Sequence, residues 1–349
     1  MSLLSDCLPK FLKSNVTIVI LPAFFVTGCS LQTAGRTDGI DLNAIKSPII
    51  FIGADNVAYR DPTAVYHNGT FYLYFTYIIH EKGRIYWCTG LSTSTDLVHW
   101  SPPERLTPKD RNLNFCAPGN IIRYKGKWVM CLQTYPTPNS EKYGNSDARV
   151  WITRSDDLRH WSSPEVLKVK GPNVPVEEIG RVIDPYLVED KNEHGKWWCF
   201  FDTDAANISY SYDLKNWTYF NQIEAGENVC VLVRDDKYLM FHSPKNGIGI
   251  KYSNDMKHWY DAGRKITKHG TGSITLGQDN WPWAKGRLSA GFVLDLNSNP
   301  RIDKYIMFFH GSGPKPEPIH FDSYCSLGLA WSDDLKHWHW PGKTQSQHK

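Results

Sequence analysis

Short runs of apolar, β-branched and aromatic residues recur along the chain and are separated by turns rich in Gly, Asn and Asp. Residues 71–76 form one such run and residues 128–134 form another, and each follows a turn that contains Gly. No segment keeps an apolar stripe of helical period for longer than about two turns. Short runs punctuated in this way are typical of β-strands joined by hairpins. The pattern therefore predicts an all-β protein.

The runs are grouped around a motif, Asp-(Leu/Met)-x-x-Trp, that occurs five times. Its copies are Asp96–Trp100, Asp157–Trp161, Asp213–Trp217, Asp255–Trp259 and Asp334–Trp338. Three strand-like runs precede each copy, and the motif Trp opens a fourth. Four strands per unit and five units predict a five-bladed β-propeller over residues 46–349, in preference to a sandwich. We expect the repeated Trp to pack between blades.

Composition and charge exclude several classes of protein. The 349 residues carry 39 Lys and Arg against 36 Asp and Glu, and a net charge of +3 argues against nucleic-acid binding or electrostatic binding to membranes. The eight Cys contain no Cys-x-x-Cys pair, so a zinc ribbon has no support. Cys88, Cys131, Cys199 and Cys230 lie within strand-like runs and are interpreted as small apolar core residues.

The first 29 residues have the pattern of a processing segment. Lys10 and Lys13 precede an uncharged stretch, Val16–Thr27, which is long enough for a signal peptide and too short to span a bilayer. The stretch closes with Val26-Thr27-Gly28-Cys29, which resembles a bacterial lipobox. We expect Cys29 to carry lipid, residues 30–45 to form a linker, and the protein to be an exported lipoprotein of the periplasm or outer membrane. The alternative is a buried apolar strand.

Carboxylates recur where the innermost strand of each predicted blade begins. In a propeller this strand lines the central channel, and its leading end opens onto one face. The pairs ahead of the five inner runs are Asp61-Pro62, Ala117-Pro118, Asp184-Pro185, Glu227-Asn228 and Ser289-Ala290. We align the first member of each pair, so that three of five equivalent positions hold a carboxylate. Carboxylates that converge on one funnel repel each other and lose hydration, an arrangement typical of a reaction site.

Converging carboxylates on an exported, aromatic-rich propeller suggest glycoside hydrolysis. One carboxyl group protonates the leaving oxygen and another activates water, and a separation of about 6.5–9.5 Å corresponds to inversion of configuration. A third carboxylate raises the pKa of the acid by like-charge repulsion.

Arg60-Asp61-Pro62, Ile183-Asp184-Pro185 and Glu227 together resemble glycoside hydrolase family 43 over roughly residues 50–340. The resemblance implies a five-bladed propeller that acts as an α-L-arabinofuranosidase or β-xylosidase. It also implies Asp61 as general base, Asp184 as pKa modulator and Glu227 as general acid. The context Glu227-Asn228-Val229 departs from the family's Glu-Gly-Pro, which leaves Glu224 as a rival acid.

Polar residues also close the second strand of each predicted blade, and we expect them near the same funnel. They are Thr76, Gln133, Thr134, Asp202, Asp204, His242, Ser243 and His310. By resemblance, His310 helps to hold a structural calcium ion in the channel through water; a hydrogen-bonded structural His is the alternative. In the related family 117 a channel His serves as the acid, so His310 or His242 is a second choice of proton donor. No other cofactor is expected.

Further residues are candidates for binding sugar. The polar candidates are Arg60, Asp202, His242 and Arg287. Trp281 and Trp283 lie outside the repeated motif, and their rings would stack on the apolar face of a sugar. Ordinary loop packing is the alternative for both.

Two other functions share these features. A non-catalytic carbohydrate-binding propeller would need no proton donor. A family 32-like glycosidase, which retains configuration and uses an Asp nucleophile, would also place acids on three blades. Its first-blade motif reads Asn-Asp-Pro-Asn, whereas this chain has Tyr59-Arg60-Asp61-Pro62-Thr63. We therefore expect a monomeric inverting glycosidase that acts on side chains of plant-type oligosaccharides or polysaccharides.

Overall fold

The computed structural model describes residues 39–313 and 324–343. The predicted signal peptide and the first part of the predicted linker, up to residue 38, lie outside the described residues. The end of that linker contacts the propeller: the Ile40 N–H donates to the Arg301 carbonyl at 2.7 Å, and Ile45 is buried in the main core. None of the helices in the described ranges is long and apolar enough to cross a membrane.

The described chain folds into five antiparallel sheets. A short strand, β1 (Ile49–Phe51), comes first. The first blade contains β2 (Val57–His67), β3 (Thr70–Glu81), β4 (Arg84–Ser94) and β5 (Glu104–Arg105). The second contains β6 (Phe115–Tyr124), β7 (Lys127–Thr134), β8 (Val150–Ser155) and β9 (Glu165–Val166). The third contains β10 (Ile183–Glu189), β11 (Trp197–Asp202), β12 (Ala206–Ser211) and β13 (Thr218–Ile223).

The fourth blade contains β14 (Glu227–Arg234), β15 (Lys237–Ser243), β16 (Gly249–Ser253) and β17 (Tyr260–Asp261). The fifth contains β18 (Arg287–Leu296), β19 (Lys304–Ser312), β20 (Ser326–Ser332) and β21 (Trp338–His339), and β1 pairs with β20 of this blade. Three short 3-10 helices complete the described elements: Leu42–Ala44, Val176–Glu178 and Gln278–Asn280. The predicted five-bladed β-propeller is confirmed.

The Asp of each repeated motif caps the turn after the third strand of its blade. In the first blade, Asp96 Oδ1 accepts the N–H groups of Val98 and His99 at 2.8 Å, and Ser94 Oγ accepts that of Leu97 at 2.9 Å. Leu97 has a φ of 65°, and its four counterparts have φ between 58° and 65°. This left-handed conformation is unfavourable for a residue with a Cβ. Side-chain capping and burial of the Leu or Met offset that cost.

The motif Trp packs against the second strand of the preceding blade, as predicted. The ring pairs are Trp100–Phe308, Trp161–Tyr74, Trp259–Phe200 and Trp338–Phe241, with centroids 5.8–6.4 Å apart. Trp217 is fully buried in a cluster that includes Val129 of the second blade. The repeated Trp is therefore structural, and each blade contributes one ring to the interface with its neighbour.

Candidate active site

Each inner strand bulges at its leading end, next to the central channel. The ladder with the second strand shifts register there in all five blades. One residue of each bulge has a φ of 42–53°: Asp61, Ala117, Asp184, Asn228 and Ala290. These five residues surround one narrow cavity of about 30 Å³ in the channel. The leading ends of the five inner strands therefore converge on the channel, as the sequence predicts.

The bulges correct the alignment of the fourth and fifth blades by one residue. Glu227 pairs with Ser243 in the register in which Arg60 pairs with Thr76, and Asn228 holds the position equivalent to Asp61. Likewise Ala290, and not Ser289, is the bulge residue of the fifth blade. Two of the five equivalent positions hold a carboxylate, and Glu227 stands one residue ahead of its bulge. The sequence alignment was wrong there because these blades lack the Pro that marks the first three bulges.

At four of the five blade boundaries, a polar residue at the end of the second strand holds the bulge of the next blade. The N–H of Ala117 donates to Thr76 Oγ1 at 2.8 Å, and that of Ala290 donates to Ser243 Oγ at 2.7 Å. Gln133 Oε1 accepts the N–H of Asp184 at 2.7 Å. His310 Nδ1 accepts the N–H of Asp61 at 3.2 Å and so joins the fifth blade to the first.

Asp61 is buried at the floor of the site, and two side chains fix its carboxylate. Oδ2 accepts from Thr76 Oγ1 at 2.9 Å, and Oδ1 accepts from Asn228 Nδ2 at 3.4 Å. The Arg60 guanidinium, also buried, lies 3.9 Å from Oδ1. Thr76 also holds the Ala117 bulge, so one side chain both orients Asp61 and joins the first blade to the second.

Asp184 and Asp202 lie where charge is unfavourable. Burial raises the pKa of Asp184 well above its usual range, and the carboxylates of Glu227, Asp61 and Asp202 raise it further. Burial also raises the pKa of Asp202 to about 6, although a hydrogen bond from the Asp204 N–H lowers it. These two acids keep a proton to higher pH than an exposed Asp does.

Glu227 is more exposed than the two aspartates and pairs with Arg287, whose Nη2 lies 3.4 Å from Oε2. The two residues come from neighbouring blades, so the ion pair spans the blade boundary. The rival acid, Glu224, pairs with Lys265 at 3.7 Å and does not line either cavity described below. The structure therefore brings Glu227, and not Glu224, to Asp61 and Asp184.

Two adjoining cavities form the site above the channel. The inner cavity, of about 270 Å³, is bounded by Arg60, Asp61, Asp184, Glu227 and Arg287. The outer cavity, of about 730 Å³, shares Glu227 and Arg287 with it and extends over Asp202 and Asp204. Together the two cavities offer room for a sugar at the carboxylates and for a larger group beyond Glu227.

Sequence reasoning missed several residues that line these cavities. They are Trp87, Tyr135, Tyr143, Arg181, Lys245, Lys268 and His269. Most come from connections between strands, whose paths carry no repeated signal in the sequence. Arg181 lowers the pKa of both Asp184 and Asp202 electrostatically, so it belongs to the charge network.

His242 lies beneath the site rather than in it. It is 1% exposed, and its Nδ1 accepts the N–H of Gly226 at 3.0 Å. Burial lowers its pKa to about 4, so the ring is neutral at neutral pH. The expected contact of His242 with sugar is therefore wrong, because a ring so buried cannot reach a ligand; it supports the backbone next to Glu227.

His310 shows no metal site among the residues that the structure describes. Its Nδ1 is used by the Asp61 N–H, and no group of three or more His, Cys, Asp or Glu side chains in the described ranges is arranged to hold a metal ion. These residues do not fit direct calcium coordination, and the water-mediated calcium ion stays a prediction. No step of the chemistry is assigned to a metal.

Trp281 and Trp283 stack on each other and on Phe309, with ring centroids 5.2–6.0 Å apart. Neither lines the inner or the outer cavity. Their placement favours loop packing, and Trp87, Tyr135 and Tyr143 are the aromatic residues that do line the inner cavity.

Comparison with solved structures supports the fold. An α-L-arabinofuranosidase from Podospora anserina in complex with cellotriose is 15% identical, with a TM-score of 0.57 over 81% of this chain and 94% of that chain. An exo-1,5-α-L-arabinanase from a bovine ruminal metagenomic library is 15% identical, with a TM-score of 0.56 over 80% and 94%. A thermostable family-43 glycoside hydrolase is 15% identical, with a TM-score of 0.55 over 87% and 98%. At this identity the likeness concerns the propeller.

Family membership comes from the sequence. No curated protein matches the chain. The family model described as glycosyl hydrolases family 32 N-terminal domain matches residues 58–233, about half of the chain, and this stretch contains Asp61, Asp184 and Glu227. Membership of family 43 in particular stays a prediction. The chain therefore belongs to the family of the glycosyl hydrolases family 32 N-terminal domain, and the protein is a glycosidase.

Proposed function

We propose that the protein is an inverting glycosidase that removes side-chain sugars from plant-type oligosaccharides or polysaccharides, in the manner of the family-43 α-L-arabinofuranosidases and β-xylosidases. The observation that carries the proposal is the convergence of Asp61, Asp184 and Glu227 on one cavity of about 270 Å³. The raised pKa of Asp184 supports it, because acid–base catalysis needs a carboxyl group that holds a proton near neutral pH.

Asp61 is proposed as the general base. It lies at the cavity floor, and Thr76 and Asn228 hold its oxygens in place. A water molecule between Asp61 and the anomeric carbon would lose a proton to the carboxylate as its oxygen attacks. The glycosidic bond breaks on the opposite side, and the configuration inverts.

Glu227 is proposed as the proton donor, with Asp184 as its partner. Burial raises the pKa of Asp184, and the negative charge of Glu227 raises it further, so Asp184 holds its proton beside Glu227. Glu227 borders both cavities, and it is therefore the member of the pair that reaches an oxygen between a sugar in the inner cavity and its leaving group in the outer one. That oxygen takes the proton as the bond to the anomeric carbon breaks.

A retaining mechanism is the second candidate, and the family 32 match favours it. Asp61 would then attack the anomeric carbon itself and form a covalent glycosyl-enzyme, which water hydrolyses with Glu227 acting first as acid and then as base.

Product stereochemistry tests the two. The enzyme is incubated with aryl α-L-arabinofuranoside, β-xyloside and β-galactoside and with plant polysaccharides, and the first-formed anomer is followed by NMR. We expect hydrolysis of an arabinofuranoside or xyloside with inverted configuration. A retained anomer would replace the first mechanism by the second, and failure to cleave any glycoside would overturn the proposed function.

We further propose that the enzyme is an exported lipoprotein anchored through Cys29, and that it works as a monomer without a catalytic cofactor. The lipobox-like Val26-Thr27-Gly28-Cys29 supports the anchor. Expression of the full chain and of Cys29→Ser in a Gram-negative host tests it: the full chain should fractionate with membranes and the variant should not. Equal membrane association of both proteins would contradict the anchor.

A further inference from the structure

The outer cavity has an unbalanced rim of basic groups. Lys245 comes from the connection between β15 and β16, and Lys268 and His269 come from the connection after β17. All three side chains are exposed and line the same cavity. The two segments lie side by side, because the Asn246 N–H donates to the Gly270 carbonyl at 3.4 Å and the Asn246 carbonyl accepts the Gly272 N–H at 2.7 Å.

The other charged groups of the cavity are largely matched. Arg287 pairs with Glu227, and the positive charge of Arg181 lowers the pKa of Asp184 and Asp202. At the rim, the positive charges outnumber the negative ones. Lys245 and His269 make no ion pair with any residue in the described ranges, and Lys268 donates to the backbone carbonyl of Asp204 at 2.8 Å, which leaves its charge in place.

Asp204 is the carboxylate on the same rim, and it offsets one positive charge. At least one Lys therefore faces the cavity without a counter-charge. Elsewhere on the surface some exposed Lys residues pair, as Lys127 does with Asp156 and Lys265 with Glu224, and others, such as Lys215 and Lys257, make no ion pair within the described ranges. The rim differs from these surfaces because its cations line a cavity.

The rim lies on the leaving-group side of the site. Asp61 borders the inner cavity and not the outer one, whereas Glu227 borders both. If Glu227 protonates the leaving oxygen, the departing part of the substrate lies beyond it, over Asp202 and beside the basic rim. A negative charge on that part would be the partner that Lys245 and Lys268 lack.

We propose that the substrate is an acidic glycan, whose sugar on the leaving-group side carries an anionic substituent that binds Lys245 and Lys268, with His269 beside them. The substituent is the carboxylate of a uronic acid or a sulfate ester, both of which accept charge-assisted hydrogen bonds from ammonium groups. This inference rests on the proposed function, because it uses Glu227 to define the leaving-group side.

Binding to a slow variant tests the proposal. Affinities of Asp61→Asn are measured by calorimetry for an oligogalacturonate, for the same oligosaccharide after reduction of its carboxyl groups to alcohols, and for sulfated and desulfated galactan oligosaccharides. We expect one acidic ligand to bind at least about tenfold more tightly than its neutral counterpart, as charge-assisted hydrogen bonds imply. The acidic ligand preferred identifies the substituent.

Charge-removing variants in the same background locate the contact. Lys245→Gln with Lys268→Gln should abolish the preference for the acidic ligand and flatten its salt dependence, without weakening the neutral ligand. Lys265→Gln is the matched control, because Lys265 pairs with Glu224 outside the cavity and its loss should change neither affinity. Equal affinity for acidic and neutral ligands, absence of binding by all of them, or a preference that survives in the double variant would overturn the proposal. Failure of the proposed function is separate: wild type would then cleave no glycoside, whatever it binds.

Discussion

The buried Asp202 carboxyl group of the site destabilises the folded protein when it is ionised. It is buried, and its pKa rises from 3.8 to about 6. The folded protein holds this proton more tightly than the unfolded chain does, so binding of the proton stabilises the folded state. This stabilisation is complete below pH 3.8, the pKa of Asp202 in the unfolded chain, and is lost as the pH rises through about 6. Above that pH the protein carries a buried charge at a cost of about 3 kcal/mol.

Asp202→Asn should therefore stabilise the protein in a pH-dependent way. The amide keeps an oxygen for the Asp204 N–H but carries no charge. We expect the free energy of unfolding at pH 8 to rise by up to about 3 kcal/mol, and by much less at pH 4.5. Urea unfolding at both pH values measures it, with Asp147→Asn, at an exposed Asp away from the site, as the control. An equal gain at both pH values would show that the cause is not the charge.

Glu227 and Asp61 should respond differently to the leaving group. A poor leaving group needs protonation and a good one does not. Glu227→Gln should lose about 10²–10⁴-fold in kcat/KM on a natural glycoside and far less on an activated aryl glycoside. Asp61→Asn should lose both activities alike, because the nucleophilic step is needed in either case. Azide should restore turnover to Asp61→Ala.

Glu224→Gln is the control for that comparison, since Glu224 pairs with Lys265 outside the cavities. It should keep near-normal turnover of both substrates. If instead Glu224→Gln or His310→Ala loses the natural substrate while Glu227→Gln keeps it, the acid is misassigned.

At this scale the sequence predicts the acids better than their surroundings. Asp61 and Asp184 precede Pro at the start of inner runs, and that local signal is sufficient to find them. Arg181 and Lys268 lie in connections, where nothing in the chain indicates the direction of a side chain. His242 was misjudged because its position next to Ser243 suggests the funnel, while the structure covers it with Gly226.

At the scale of elements, the blades are joined by side chains that hold the bulges of their neighbours. Ser243 at the end of β15 accepts the Ala290 N–H of β18 at 2.7 Å in a buried setting. Ser243→Ala leaves that N–H without an acceptor, and we expect a loss of about 1–3 kcal/mol in the free energy of unfolding.

Ser289→Ala is a matched control for that variant. Ser289 is adjacent to the same bulge, and its hydroxyl is equally buried but has no hydrogen-bond partner within the described part of the chain. Its removal should leave stability unchanged or raise it slightly, because an unsatisfied polar group is lost. Chemical denaturation of both variants gives the comparison. Equal losses would mean that the bulge hydrogen bond does not join the blades.

The bulges also explain the limit of sequence prediction for elements. The capped turn repeats in all five blades with Asp and Trp at fixed spacing, so the number and order of blades follow from it. A bulge adds one residue to a strand and does not require a particular residue type there. The sequence around Asn228 and Ala290 therefore does not show that these residues form bulges. The register of the fourth and fifth inner strands was consequently one residue off.

At the scale of the molecule, the ring must be closed between the fifth blade and the first. His310 reaches Asp61 near the channel, and β1 closes the outside by pairing with β20, where Ile49 faces Gly328. The sequence did not predict this strand, since β1 lies within a short run that precedes the first repeat. Closure pairs distant segments, and local patterns do not record it.

Phe51 should be the residue of β1 on which closure most depends. Its backbone pairs with Leu327 of the fifth blade, while its ring packs on Tyr59 and Phe75 of the first, with centroids 5.3 and 5.7 Å away. Phe51→Ala removes the ring from between the two blades. Because the side chain is partly buried, we expect the free energy of unfolding to fall by about 2 kcal/mol, less than for a fully buried Phe.

Ile52→Ala is the control: Ile52 is the next residue, 65% exposed, and its truncation should change stability little. Urea unfolding of both variants measures the difference. If they unfold alike, the ring of Phe51 does not fasten the blades, and closure rests on the backbone pairing of β1 and the His310–Asp61 contact.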